Sequence, residues 1–227
     1  MAKRPVFIAD INPPFFKEED VEFFFYSGFA PVQKQKSMKS LHEAYLAKHP
    51  EHRVLEVSSK SDHLEGVKLS AFNLKTQLKD GSFVPLECAF QASKVFEDGK
   101  QYLDILQMSA HDAKKDERLR TSGGLKSFCF EGEEFPLVPK TLFYDWLYIQ
   151  ALRNDPELCD LATEYDAFTD IEFNPQKSIN CQARALAIYV GLRKAGMDRY
   201  YLKSKERFAE LYGEQKKEPE EEQMKMF

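Results

Sequence analysis

The sequence predicts an α+β fold: a helix-rich single domain with a few short strands. Three observations lead there. Runs of β type are short and come early, at residues 5–9, 21–26 and 53–59. Two long helical patterns, 141–153 and 179–195, dominate the second half. Between them, residues 85–96 read as a short helix that is apolar on most sides and therefore buried. A chain of 227 residues supports one sizeable core rather than two full domains. Residues 1–52 are expected to form N-terminal strands and a helix packed on the core, 53–213 the main body, and 214–227 a disordered acidic tail.

In chain order, Asn12-Pro13-Pro14 breaks the first strand, and Ser27-Gly28 ends the aromatic run that begins at Val21. Ser40-Leu41-His42-Glu43 matches a capping box and His49-Pro50 a stop, which predicts a helix of about ten residues between them. Asp80-Gly81 marks a tight turn before the buried helix, and residues 100–107 are read as its helical continuation. Ser109 caps another helix, whose Lys114, Lys115, Arg118 and Arg120 form the basic cluster of the body. Residues 127–137 suggest a small hairpin about Gly132. Pro139 is taken to start the Trp146 helix, 163–174 a loop, Ser178 to cap the last long helix, and 199–212 one further helix. Ala183, Ala187 and Gly191 recur every four positions and suit close packing against another helix.

Composition limits the partners. The formal charge of −5, of which the tail supplies −2, is not the basic surface of a protein that holds nucleic acid through many phosphates. Any such contact is expected to be transient and confined to a small site. Cys88, Cys129, Cys159 and Cys181 lie far apart, without metal-ligand spacing, so neither zinc nor another metal is expected. No leader or membrane-length segment is evident, and a reduced cytoplasmic setting is expected. The 19 Phe and 10 Tyr promise a bulky core and aromatic-lined grooves.

The chemistry concentrates on the buried helix. At 100° per residue Glu87, Gln91 and Lys94 share one narrow arc, placing a carboxylate, an amide and an amine in a row. Free N–H groups at the helix start would stabilise the Glu87 charge, and burial would oppose it. Lys94 and Lys60 are the candidate amines, since a lysine near apolar walls can lose its proton and attack a carbonyl. Arg118, Arg120 and Arg184 are candidates to hold a phosphate, with Gly123-Gly124 as a backbone cradle. Asp170 and Glu172 sit in a stretch too hydrophobic for open solvent, and Asn180 and Arg184 form an i, i+4 pair that can face the same cleft.

The run from Phe83 to Phe96, with Glu87 opening a helix and Phe90-Gln91-Ala92 followed by Lys94 and an aromatic, resembles the NADAR-family signature. Leu69-Ser70-Ala71-Phe72-Asn73 and the segment from Ser109 to Arg120 resemble two more of its motifs. Ser59-Lys60-Ser61 and the block from Phe168 to Arg184 resemble the branch found beside DarT-type DNA ADP-ribosyltransferase toxins. The likeness departs at Ala71, where the family carries Asn, and at Cys88, where many members carry His. It implies a NADAR-like catalytic domain that hydrolyses an N-glycosidic bond at ribose. In the toxin-associated branch this means removing ADP-ribose from guanine in DNA, as antitoxin to a DarT-like toxin, with no cofactor. Glu87 takes the place of the family's glutamate, with Lys60 or Lys94 as a Schiff-base amine. Ser70, Phe72, Asn73, Gln91, Arg118, Arg120, Trp146, Asp170, Asn180 and Arg184 are the expected substrate contacts, with Tyr144 an alternative to Trp146 on adenine. Two other readings stay open: an N-glycosidase acting on riboflavin-pathway intermediates, and a non-catalytic immunity protein that binds the toxin.

Overall fold

A computed structural model describes residues 1–28 and 30–213; the expected tail from Glu214 lies outside them. Strands β1 (Ala2–Ala9) and β2 (Phe16–Phe23) precede helix α1 (Pro31–Leu46). Strand β3 (Val54–Glu56) and the short α2 (Leu64–Lys68) follow. Strands β4 (Lys75–Gln77) and β5 (Phe83–Pro85) lead into α3 (Leu86–Ala92), and β6 (Lys94–Phe96) comes directly after it. Then come α4 (Ala110–Lys115), α5 (Arg118–Thr121), β7 (Leu125–Phe130) and β8 (Glu133–Phe135). Helices α6 (Leu142–Arg153) and α7 (Pro156–Ala162), strand β9 (Ala167–Thr169) and helix α8 (Gln182–Lys194) complete the core. Short helices α9 (Asp198–Tyr201) and α10 (Lys205–Ala209) close the described chain.

The fold is α+β, as the sequence predicts. The main sheet has the order β2-β1-β9-β3, antiparallel except for the parallel β3–β9 pair. Strands β4 and β5 pair in a hairpin, and β6-β7-β8 form a third small sheet. Helix α8 packs on α6 and on β1, burying Ala183, Leu186, Ala187 and Val190 completely. The four-residue repeat of small side chains on α8 also serves a strand end. A Cβ on Gly191 would lie 2.0 Å from the Phe15 carbonyl oxygen and 2.6 Å from that of Asp10. The four cysteines are free thiols.

Several boundaries differ from the sequence reading. Helix α1 starts at Pro31, because proline suits a first helical turn. Ser40 therefore lies mid-helix, and its hydroxyl accepts from the Phe24 N–H (3.2 Å) instead of capping. The expected run over 21–26 is the end of β2 plus an extended segment laid along α1. Helix α3 stops at Ala92, because Val95 and Phe96 are drawn into pairing with β7; Lys94 thus belongs to a strand. Residues 100–107 contain only a 3₁₀ turn, Leu103–Gln107. Helix α6, Leu142–Arg153, falls within one residue of the expected 141–153, whereas the acidic 163–174 stretch, expected as a loop, contains β9, a central strand of the main sheet. Cys181, not Ser178, precedes α8, and the last expected helix is broken between Tyr201 and Lys205.

Candidate functional site

The tight chain segment at Ala71–Leu74 anchors the start of α3. The Leu86 N–H donates to the Leu74 carbonyl (2.9 Å) and the Glu87 N–H to that of Ala71 (3.2 Å). Two N–H groups that a helix start leaves free are thereby satisfied by backbone, and Glu87 does not cap its own helix. Its side chain is 5 % exposed and accepts from Gln91 Nε2 at 2.9 Å, one turn along. Gln91, 7 % exposed, keeps its Oε1 buried with no protein partner.

Lys94 arrives from β6 and is 1 % exposed, with Nζ 5.4 Å from the centre of the Phe90 ring. Burial pushes its pKa down to about 8, opposed by the Glu87 charge. Tyr144, from α6, meets Phe90 edge-on with ring centres 5.1 Å apart. Burial first, then the Glu87 charge, hold its phenol well above the ordinary value, so it remains a neutral donor.

The opposite wall follows β9. Asp170 Oδ1 accepts from the Glu172 and Phe173 N–H groups (3.0 and 3.2 Å), and Oδ2 from Gln182 Nε2 (3.0 Å). The other end of Gln182 accepts from the Ala71 N–H at 2.7 Å, tying this wall to the segment before α3. Burial and the nearby Glu56 carboxylate push Asp170 up to about 7. Glu56, wholly buried, accepts from Ser58 Oγ, Thr169 Oγ1 and the Ile171 N–H, and burial raises its pKa as well.

These groups surround one cleft of about 330 Å³, whose lining also includes Phe72, Asn180 and the basic side chains Lys114, Arg120 and Lys177. Lys114 Nζ lies 5.2 Å from the centre of the Phe72 ring. A carboxylate, an amine of lowered pKa and a neutral phenol, with basic and aromatic groups around them, suit a reaction that builds positive charge on a phosphate-bearing sugar. A family model described as the DarT1-associated NADAR antitoxin matches residues 2–222. The chain belongs to that family. No curated protein matches it.

The NADAR antitoxin brings together Glu87, Lys94, Phe72, Gln91, Arg120, Asp170 and Asn180 of the residues expected from its sequence. The others lie apart. Lys60 is absent from the cleft lining, although its neighbours Ser58 and Ser59 belong to it. Ser70 is buried and donates to the Val67 carbonyl; Asn73 Nδ2 bonds the same carbonyl and Ser70 Oγ, so both serve the local turn. Arg118 is held by Asp116 and Asp104, with Nη2 contacts of 2.6 and 2.7 Å, and is not a lining residue. Trp146 packs on Phe208 (ring centres 5.4 Å apart). Arg184 donates to the buried Asp145 at 2.6 Å and lines a neighbouring cavity of about 810 Å³, which shares only Phe173 and Ser178 with the cleft.

Gln182 and Phe90 line the cleft and Glu56 lies behind it without being expected site residues, whereas Tyr144, expected as an alternative to Trp146, does line it. Gln182 and Glu56 have no local signal, since each has a deciding partner more than 100 residues away: Ala71 for Gln182, and Thr169 and Ile171 for Glu56. Phe90 and Tyr144 have the signal of aromatic residues on buried helices, which does not say which cavity they line. Among the described residues one cluster has ligand atoms close enough for a metal: His49, Glu51 and His52, within 4.8 Å of one another and outside the cleft lining. His49 also contacts Glu19, and His52 the Tyr45 hydroxyl, both at 2.7 Å. No described helix is long and apolar enough to cross a membrane.

Proposed function

We propose that this NADAR antitoxin is a hydrolase that removes ADP-ribose from guanine in DNA and so reverses the modification made by a DarT1-type toxin. The observation that carries this reading is the buried Glu87–Gln91 pair facing the same cleft as Lys94, with Lys114, Arg120 and Lys177 in its lining. In the reaction the bond between the ribose anomeric carbon and the guanine nitrogen breaks. Water's oxygen bonds that carbon, and the guanine nitrogen takes up a proton. Glu87 stabilises the positive charge that develops on ribose and takes a proton from the attacking water. Gln91 orients Glu87 through its amide and offers its unpartnered Oε1 to a sugar hydroxyl. In the alternative route Lys94 takes the place of that first water: its neutral amine attacks the anomeric carbon of the ring-opened sugar, guanine leaves as its nitrogen takes up a proton, and water then hydrolyses the resulting Schiff base to ADP-ribose and the free amine. Arg120, Lys114 and Lys177 supply charge for the pyrophosphate, and Phe72 supplies an aromatic face. Neutral Tyr144 serves as a hydrogen-bond donor in the cleft.

Incubation with DNA carrying ADP-ribosylated guanine tests this directly. Free ADP-ribose and restored guanine are expected. No release of ADP-ribose, with turnover of a riboflavin-pathway intermediate instead, would overturn the reading. Protection of toxin-exposed cells by a Glu87→Gln variant that no longer releases ADP-ribose would overturn it in favour of a protein that only binds the toxin.

A further inference from the structure

We propose that Phe24, Tyr26 and the exposed Lys36 of α1 form a surface that holds single-stranded DNA beside the cleft. The proposal rests on the reading that the modified guanine is presented in DNA, and it adds where the rest of the strand lies.

The segment after β2 alternates. Phe23 is buried and Phe25 packs with it into the smaller hydrophobic cluster beneath α1. Phe24 and Tyr26 point the other way, 56 % and 36 % exposed, with ring centres 4.8 Å apart. Their backbone is fixed: the Phe24 N–H donates to Ser40 Oγ at 3.2 Å and the Tyr26 N–H to Ser37 Oγ at 2.9 Å. One lysine lies beside these rings and another beside the inward Phe25. Lys36 Nζ lies 5.9 Å from the Tyr26 ring centre and Lys34 Nζ 6.0 Å from that of Phe25. Lys34 also reaches Glu172 at 3.7 Å, and Glu172 lines the cleft. The segment that carries the two exposed rings is thus linked to the cleft rim through Phe25, Lys34 and Glu172.

Two exposed aromatic rings on a fixed backbone, with Lys36 beside them, match what bases and phosphates of a single strand need. Every base offers a face to stack on, and each phosphate a charge to pair. A duplex hides its base faces within the stack and cannot use the rings. A protein partner would be served better without the lysines, which are depleted at protein interfaces. The patch is small, which suits a chain of net charge −5 that must let its substrate go.

The test uses the full chain, a labelled unmodified single strand of roughly ten nucleotides, the same strand carrying ADP-ribosylated guanine, and ADP-ribosylated guanosine monophosphate alone. Combined Phe24→Ala and Tyr26→Ala should weaken binding of the unmodified strand by about tenfold or more. KM for the modified strand should rise similarly, with kcat and turnover of the mononucleotide unchanged. Combined Phe24→Tyr and Tyr26→Phe should retain binding, and Lys36→Glu should weaken it with a shallower dependence on salt. Strand binding that is absent in the parent protein or unchanged in the alanine variant overturns the proposal. So does a variant that loses only its affinity for a DarT1-type toxin, which would make the surface a protein interface. Failure of the parent to release ADP-ribose from either modified substrate would refute the hydrolase reading, while unmodified-strand binding would still decide the surface.

Discussion

Gln91 Nε2 donates to Glu87 Oε1 at 2.9 Å, and this bond commits the amide to one orientation, with its Oε1 buried and unpartnered. A buried acceptor left unsatisfied costs stability unless a ligand completes it. Replacing Gln91 with Leu removes that unpartnered acceptor but also the donor to buried Glu87, so it should lower the melting temperature only modestly while lowering kcat/KM on modified DNA by roughly ten- to hundredfold. An unaltered kcat/KM would remove Gln91 from the reaction.

Glu87→Gln keeps the size of the side chain and removes the charge. ADP-ribose release should fall by about 10²–10⁴-fold with the circular dichroism spectrum preserved. A loss of less than about tenfold would assign the chemistry to Lys94 alone.

Lys94 is held down to about pH 8 by burial, against the pull of Glu87. If its neutral amine acts, kcat should climb as the pH rises toward about 8 and level off above it. Borohydride added during turnover should attach a reduced sugar to the Lys94 peptide, detectable by mass spectrometry. Lys60→Met should leave the label and the rate intact, because Lys60 does not line the cleft. Label found on Lys60 would reverse that assignment.

Asp170 has its pKa raised by burial and by Glu56, from 3.8 to about 7. Between these limits the folded protein holds a proton that the unfolded chain has released. This stabilisation is complete below about pH 4 and is lost as the pH rises to 7, by up to about 1.4 kcal/mol per pH unit. Asp170→Asn should flatten the decline of the urea midpoint between pH 5 and 7, with Glu56 still contributing a remainder. Identical slopes in the two proteins would show that Asp170 is ionised throughout.

Gly191→Ala should destabilise the protein by about 2 kcal/mol or more, because its Cβ would meet backbone oxygens of Phe15 and Asp10 that cannot turn aside. Thermal unfolding measures this. A neutral effect would mean that α8 can shift away from β1.

What could be read from sequence was local. Glu87 and Gln91 pair across one turn of the helix their spacing predicts. Lys94 reaches the same cleft by another route, since its strand replaces the last turn expected of that helix. Arg184 was linked to Asn180 by assuming a helix from Ser178. With the helix starting at Gln182 that pairing dissolves, and Arg184 goes to Asp145. Arg118 is claimed by two acids, one of them 14 residues away, which charge counting along a helix does not reveal. The link between Glu56 and Asp170 depends on the parallel pairing of β3 with β9, a contact no local pattern encodes.

Strand β9 is only three residues long, yet β1 binds one of its edges and β3 the other, and Asp170 follows immediately. The first strand of the chain therefore braces the cleft wall from behind, although it contributes no side chain to it. A truncation that begins at residue 53 would strip one edge of β9 and loosen Asp170 together with Gln182. The amino-terminal hairpin is in this sense a buttress of the cleft, and insertions near Ala9 should be felt at Asp170 before they are felt at Glu87.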